Sequence, residues 1–252
     1  MSQQARAVSF LASVTSESEA LTCASLGADI IDAKDPRSGA LGALPGARVR
    51  AIRAALPPAI PLSATVGDPV ADADAVAQMA RFMASAGADI VKVGFWPDAD
   101  SERDTIARLG RLALAPVRLV GVLLADRGLD LRLIAPMRDA GFAGVMLDTA
   151  GKGEWALPDR IARDALHKFV NAVHDADMFA GLAGSLNASH IPSLLGLQPD
   201  VLGFRGGLCR DGARTEMIDA DAVRAVRNAI PASRVRLGET CPQALPNAMA
   251  RL

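Results

Sequence analysis

Tyrosine is absent from this 252-residue chain, and histidine and cysteine occur only three times each. Without tyrosine, no phenol can serve as acid or base. His167, His174 and His190 make no metal-ligand spacing with a cysteine or carboxylate cluster, so no metal centre is expected. Cys23, Cys209 and Cys241 are few, odd in number and scattered, which fits a reduced, cytoplasmic setting rather than a disulfide framework. Met1 to Ala7 lacks the basic and apolar regions of a signal peptide, and no apolar run reaches membrane-spanning length, so no membrane partner is expected. The net charge is −1 with no basic block, which argues against nucleic acid. Gly39-Ala-Leu-Gly42 is not the dinucleotide fingerprint, and neither a Walker-type phosphate loop nor a Gly-x-Ser-x-Gly elbow occurs. No cofactor is implied.

Lysine is also scarce, and its positions are informative. Of 27 basic residues only Lys34, Lys92, Lys152 and Lys168 are lysine; the rest are arginine. Arginine keeps its proton in a protein, whereas a desolvated lysine beside other cations can release it, and only the free amine attacks a carbonyl. Two of the four fall in a repeat. Ala24 to Lys34 (ASLGADIIDAK) aligns with Ala84 to Gly94 (ASAGADIVKVG), each reading as a helix end, a glycine turn and a buried strand. Side chains alternate along a strand, so Asp32 and Lys34 share a face and Lys92 falls in register with Asp32. A structural ion pair, or a strand-end lysine reaching water, would account for either residue alone. The arginine bias and the pairing favour amine chemistry on a carbonyl substrate.

The chain alternates strand-like and helix-like segments throughout. Strands are expected at 7–14, 28–34, 62–66, 89–95, 118–124, 144–148, 178–183 and 201–205. The helices between them include one opened by a capping box of Ser16 and Glu19, and one long helix from Pro158 to Asp175. The strands are apolar without alternation, as in a parallel sheet covered on both faces. Eight such units in this length, half of it apolar residues, favour a closed (β/α)8 TIM barrel over an open doubly wound sheet. The expected layout is one α/β domain over residues 1–230 with a short C-terminal extension, 231–252, where Pro242 and Pro246 break the pattern.

In such a barrel the active site lies where strands end and βα loops begin. Asp32, Lys34, Thr65, Asp68, Lys92, Asp126, Asp148, Lys152, Ser185 and Arg205 stand at those ends. The turns Gly184-Ser185 and Arg205-Gly206-Gly207, after the seventh and eighth strands, are placed to bind phosphate through backbone N–H groups, with Arg205 as a bidentate partner. Lys168, mid-helix beside His167, reads as a solvated surface residue. The residues alone therefore describe a barrel enzyme that handles a phosphorylated carbonyl compound with lysine.

Six ordered segments carry a resemblance that spans residues 8–230: DAKDPRSGALGA (32–43), SATVGD (63–68), KVG (92–94), MLDTA (146–150), LAGS (182–185) and RG (205–206). They resemble the (5-formylfuran-3-yl)methyl phosphate synthases, which make the furan precursor of methanofuran-type C1 carriers. The resemblance implies condensation of two glyceraldehyde 3-phosphates with loss of one phosphate and two waters. It implies Lys34 as the Schiff-base lysine and Lys92 as proton acceptor, with Asp32, Asp148 and Lys152 at other active-site positions. The expected partners are a small phosphorylated aldehyde and further copies of the chain in a homo-oligomer. Two alternatives share these features: a class I aldolase on phosphorylated sugars, and a non-catalytic sugar-phosphate-binding barrel.

Overall fold

Apolar strand segments joined by amphipathic helices have one way to cover both sheet faces without leaving an edge, and this chain adopts it. The computed structural model describes residues 8–70, 72–151 and 155–231. Lys152 and residues 232–252 of the expected C-terminal extension thus lie outside the described residues.

Eight strands close in sequence order into a parallel barrel. They are β1 (Ser9–Val14), β2 (Ile30–Ala33), β3 (Leu62–Thr65), β4 (Ile90–Phe95), β5 (Arg118–Leu124), β6 (Gly144–Asp148), β7 (Phe179–Leu182) and β8 (Val201–Phe204). The helices are α1 (Glu17–Ser25), α2 (Gly46–Ala55), α3 (Ala73–Ser85), α4 (Ala99–Gly110), α5 (Ile134–Asp139), α6 (Leu157–Arg160), α7 (Arg163–Asp175), α8 (Ile191–Leu195) and α9 (Ala220–Ala229). Among the described residues, no helix is long and apolar enough to cross a membrane. The (β/α)8 fold read from the sequence is the fold observed.

Two local expectations change. The long helix expected from Pro158 to Asp175 is two helices, because Ile161 and Ala162 leave helical geometry (φ −118°, ψ 122° and φ −56°, ψ 142°). Leu157 N–H is thereby tied to the Gly184 carbonyl at 2.9 Å, which anchors the break to the loop after β7. At the start of α1, Ser16 caps the Glu19 N–H as expected. The Glu19 carboxylate, however, accepts from Thr15 N–H at 2.7 Å and pairs with Arg205 at 2.7 Å. A stronger cationic partner has drawn the second half of the capping box elsewhere.

The repeat now has a physical explanation. Asp29 and Asp89, at equivalent places before β2 and β4, accept from Phe10 N–H and Leu62 N–H at 2.8 Å each. Each is also paired with a helix arginine, Arg227 and Arg53. These carboxylates bind the strand entrances together, at the end of the barrel opposite the lysines.

Side-chain alternation divides the apolar residues into two cores. Ile31, Ala33, Val91, Val93 and Phe95 pack outward against the helices. Leu11, Ile30, Ile90, Val120, Val122 and Met146 fill the barrel interior. Ala40 and Leu41, from the loop after β2, join that inner core. The loop therefore plugs one side of the mouth, held where Asp68 accepts from Leu41 N–H (2.7 Å) and Thr65 Oγ1 donates to the Gly42 carbonyl (2.9 Å). A cavity remains beside the loop at the mouth.

Candidate active site

On β2, β4 and β6 the inward phase is apolar at its base and carries charge nearer its C-terminal end. On β2 the inward series runs Ile30, Asp32, Lys34; on β4 it is Ile90, Lys92, Gly94; on β6 it is Met146, Asp148. Alternate strands supply one layer of a barrel interior, which brings Asp32 of β2 to Lys92 of β4 across β3. The Lys92 Nζ lies 2.7 Å from Asp32 Oδ2, with both side chains buried. Ser13 of β1 donates to Oδ2 and Ser63 of β3 to Oδ1, each at 2.7 Å. Asp32 is fully buried yet has a donor on every side.

Lys34 Nζ stands 3.3 Å from Asp148 Oδ2, and Asp148 Oδ1 accepts from Thr149 N–H at 2.7 Å. Lys34, Lys92 and Asp148 line one cavity of about 460 Å³, within the range of small-molecule sites (roughly 300–1,000 Å³).

Burial alone would raise the Asp32 carboxyl. The Lys92 and Lys34 charges, with hydrogen bonds from Lys92 and Ser63, outweigh it and hold the group below the ordinary carboxylate range. Lys92 moves the other way for an ammonium: desolvation, reinforced by Lys34, lowers it below the ordinary lysine range although Asp32 opposes the shift. The site thus keeps a carboxylate ionised while easing a proton off the lysine beside it.

Glycine turns close the far wall. Gly184, Ser185, Gly206 and Gly207 all line the cavity. Gly184 has φ +109°, and a Cβ there would stand 2.9 Å from Thr149 Cγ2, so only glycine fits. Ser185 follows it at φ +51°. Among the described residues, no acceptor within the protein is found for the N–H groups of these four residues. Gly184 is buried and the other three are half-buried along the cavity wall, and clustered N–H groups of this kind suit an anion.

Arg205 is placed differently from what the sequence suggested. Its Nε donates to the Arg214 carbonyl (2.8 Å), Nη1 to Ser13 O and Glu19, and Nη2 to Glu19 and Glu216 O. All five N–H bonds are engaged within the protein. Its role is that of a strut joining β1, α1 and the loop after β8. Thr65, Asp68 and Asp126 likewise hold loops: Asp126 accepts from Ala150 N–H at 2.6 Å and Gly151 N–H at 2.7 Å, shaping the turn that leads to Lys152.

Ser13, Ser63 and Arg214 are site residues that sequence reasoning missed. The two serines had a signal, a hydroxyl on the inward phase of a buried strand. Arg214, in a loop far from any strand end, had none. Among the described residues, no group of three or more His, Cys, Asp or Glu is arranged to hold a metal ion.

Fold and site together define a (β/α)8-barrel enzyme whose polar centre is made of buried amines and carboxylates. The family model for 4-HFC-P synthase matches residues 10–227. The chain belongs to the (5-formylfuran-3-yl)methyl phosphate synthase family. It is 33% identical over 213 residues to the synthase of Methanocaldococcus jannaschii, covering 80% of this chain and 90% of that one. It is 41% identical over 221 residues to a Methylorubrum extorquens protein that carries the same name provisionally, covering 86% of this chain and 91% of that one. Among solved structures, phosphoribosyl anthranilate isomerase from Thermotoga maritima is similar with TM-score 0.63 and 14% identity, over 88% of this chain and 98% of that one. A 3-hexulose-6-phosphate synthase is similar with TM-score 0.60 and 21% identity, over 88% and 100%. These two likenesses concern the fold alone.

Proposed function

We propose that the protein condenses two molecules of glyceraldehyde 3-phosphate into (5-formylfuran-3-yl)methyl phosphate through an imine on Lys34, in the biosynthesis of a methanofuran-type C1 carrier. The observation that carries this reading is the convergence of Lys34 and Lys92 on one cavity, each beside its own carboxylate.

The Lys34 amine adds to the aldehyde, and loss of water leaves an iminium. That iminium is an electron sink that acidifies the adjacent C–H. Lys92, eased toward its neutral form by burial, takes the proton. The electron pair then expels the phosphate one carbon further on, with cleavage of its C–O bond. The Gly184-Ser185 and Gly206-Gly207 amides are the groups proposed to hold phosphate, while Arg205 holds the turn that presents them. A proton shift from C2 to C1 turns the second molecule into its ketose isomer. The methylene carbon of the three-carbon enol left on Lys34 attacks that C2 carbonyl, whose oxygen becomes the hydroxyl lost as one of the two waters. The isomer's free CH2–OH oxygen closes the ring on the former enol carbon. Asp148 and Lys152 carry protons through the dehydrations and ring closure that follow, and release from Lys34 restores the amine.

The test is incubation of the purified protein with glyceraldehyde 3-phosphate, followed by mass spectrometry, ultraviolet absorbance and phosphate assay. A chromophore with the mass of two triose phosphates less one phosphate and two waters is expected. A six-carbon bisphosphate without phosphate release would instead make the protein an aldolase. Absence of any product would reject the reading.

A further inference from the structure

The loop that follows β8 carries a second arginine whose bonding is the reverse of Arg205. Arg214 lines the cavity together with Gly206 and Gly207. Its stem lies against the phosphate turn, since a Cβ built on Gly206 would stand 3.8 Å from Arg214 Cβ and 3.9 Å from its backbone N. Only Nη2 of its guanidinium is bonded, to the carbonyls of Pro36 and of Gly39 (2.6 Å). Among the described residues, Nε and Nη1 have no acceptor within the protein. The guanidinium is half-buried at the cavity rim and senses the Asp148 charge. Arginine's planar fork suits bidentate contact with a phosphate, and its unused edge stands beside amides that also lack acceptors.

We propose that Arg214 is the cation that receives the phosphate group of the aldehyde substrate, and so selects phosphorylated over unphosphorylated aldehydes. The proposal rests on the reading above that the substrate is a phosphorylated aldehyde. It assigns the charge that Arg205 cannot supply, because every N–H of Arg205 is spent on the protein. It also gives the contact to Pro36 and Gly39 a purpose. The edge of the fork that binds those carbonyls fixes the loop that begins just after Lys34. Phosphate on the other edge is thereby set at a constant distance from the imine-forming amine. Arg214 is in this sense a specificity-determining residue, while the bond-making groups remain Lys34 and Lys92.

The experiment compares wild type with R214Q and R214K, each as the full chain. Imine formation is followed by borohydride trapping with glyceraldehyde 3-phosphate and with glyceraldehyde, and inorganic phosphate is titrated as inhibitor. R214Q is expected to raise KM for the phosphorylated aldehyde on the order of 10- to 100-fold, the scale of a charge-assisted hydrogen bond. Phosphate inhibition should weaken by a similar factor, and trapping of the phosphorylated aldehyde should fall at least about tenfold more than trapping of glyceraldehyde. R214K, which keeps the charge but not the fork, should recover part of the phosphate inhibition. Equal losses with both aldehydes would mean that Arg214 only pins the loop, and would overturn the proposal. So would phosphate inhibition that is unchanged in both variants. If wild type traps neither aldehyde and ignores phosphate, the underlying substrate reading falls, and the proposal with it; the wild-type control separates that outcome from the others.

Discussion

Asp32 and Lys92 occupy equivalent positions of an internal repeat, sixty residues apart, and meet at 2.7 Å across the barrel interior. They lie on strands that are not neighbours. β3 runs between them and contributes Ser63 to the same carboxylate. One copy of the repeat carries the acid and the other the base, so two similar strands form a buried ion pair that neither could form alone.

The pair sets a pH dependence with a definite sign. Desolvation and Lys34 lower Lys92, so the rising limb of kcat/KM against pH should lie below the ordinary lysine value of about 10.4. Asp32 is held down as a carboxylate, and no limb from its protonation is expected near neutrality. Asp32→Asn removes the charge that favours ionised Lys92, so it should move the limb further down in pH. A limb that moves up would refute the assignment of Lys92 as the base.

Lys34→Arg preserves the charge beside Asp148 and removes the nucleophile, because the guanidinium does not deprotonate. The variant should fold with a melting temperature near wild type. Its intact mass should show no borohydride-trapped adduct with glyceraldehyde 3-phosphate, whereas wild type gains one adduct. An adduct that persists at full yield would place the imine on another amine.

Breaking the buried pair on one side leaves its partner stranded. Lys92→Met should lower stability by about 3–5 kcal/mol, because Asp32 then keeps only its two serine donors, and should slow turnover by about 10²–10⁴-fold. The double variant Asp32→Asn/Lys92→Met should be more stable than the sum of the single losses implies, which chemical denaturation can measure as a coupling energy. Strict additivity would mean that the pair contributes nothing as a pair.

Gly39→Ala tests the plug over the mouth. Gly39 has φ +94°, and a Cβ there would come 1.9 Å from Asp68 Oδ2. Left-handed strain and that clash together should cost about 1–3 kcal/mol, a fall of several degrees in melting temperature for a chain of this size. Asp68 would have to release Leu41 N–H, loosening the loop after Lys34, and KM should rise. Unchanged stability would show that the loop has room to move aside.

Asp126→Ala removes the acceptor of both Ala150 and Gly151 N–H. The turn leading to Lys152 should lose its shape, with kcat reduced by about tenfold, the scale of one lost charge-assisted hydrogen bond. Binding of inorganic phosphate, proposed to rest on the turns after β7 and β8 and on Arg214, should stay within a few-fold of wild type. Loss of phosphate binding would show that Asp126 acts on the whole barrel rather than on this turn.

The sequence by itself determined the barrel and the position of the lysines along it. Strands buried on both faces leave long apolar runs, and period-two alternation places Asp32, Lys34 and Lys92 on inward-facing positions whatever the loops do. Asp148 was legible for the same reason. Local chemistry also marked Gly184 and Gly206 as turns. Only the tertiary structure decided which donors surround Asp32, since Ser13 and Ser63 reach it through strand neighbours distant in the chain. It also decided how each of two arginines is bonded. Arg205 sits at a strand end, where a phosphate ligand was expected, yet Glu19 and three carbonyls, those of Ser13, Arg214 and Glu216, consume its fork. Arg214 comes from an irregular loop whose course no periodicity encodes, and it arrives at the cavity because that loop folds back over Gly206. Side-chain phase is a local property of a strand, but whether a polar group is free or already satisfied depends on every segment that packs around it.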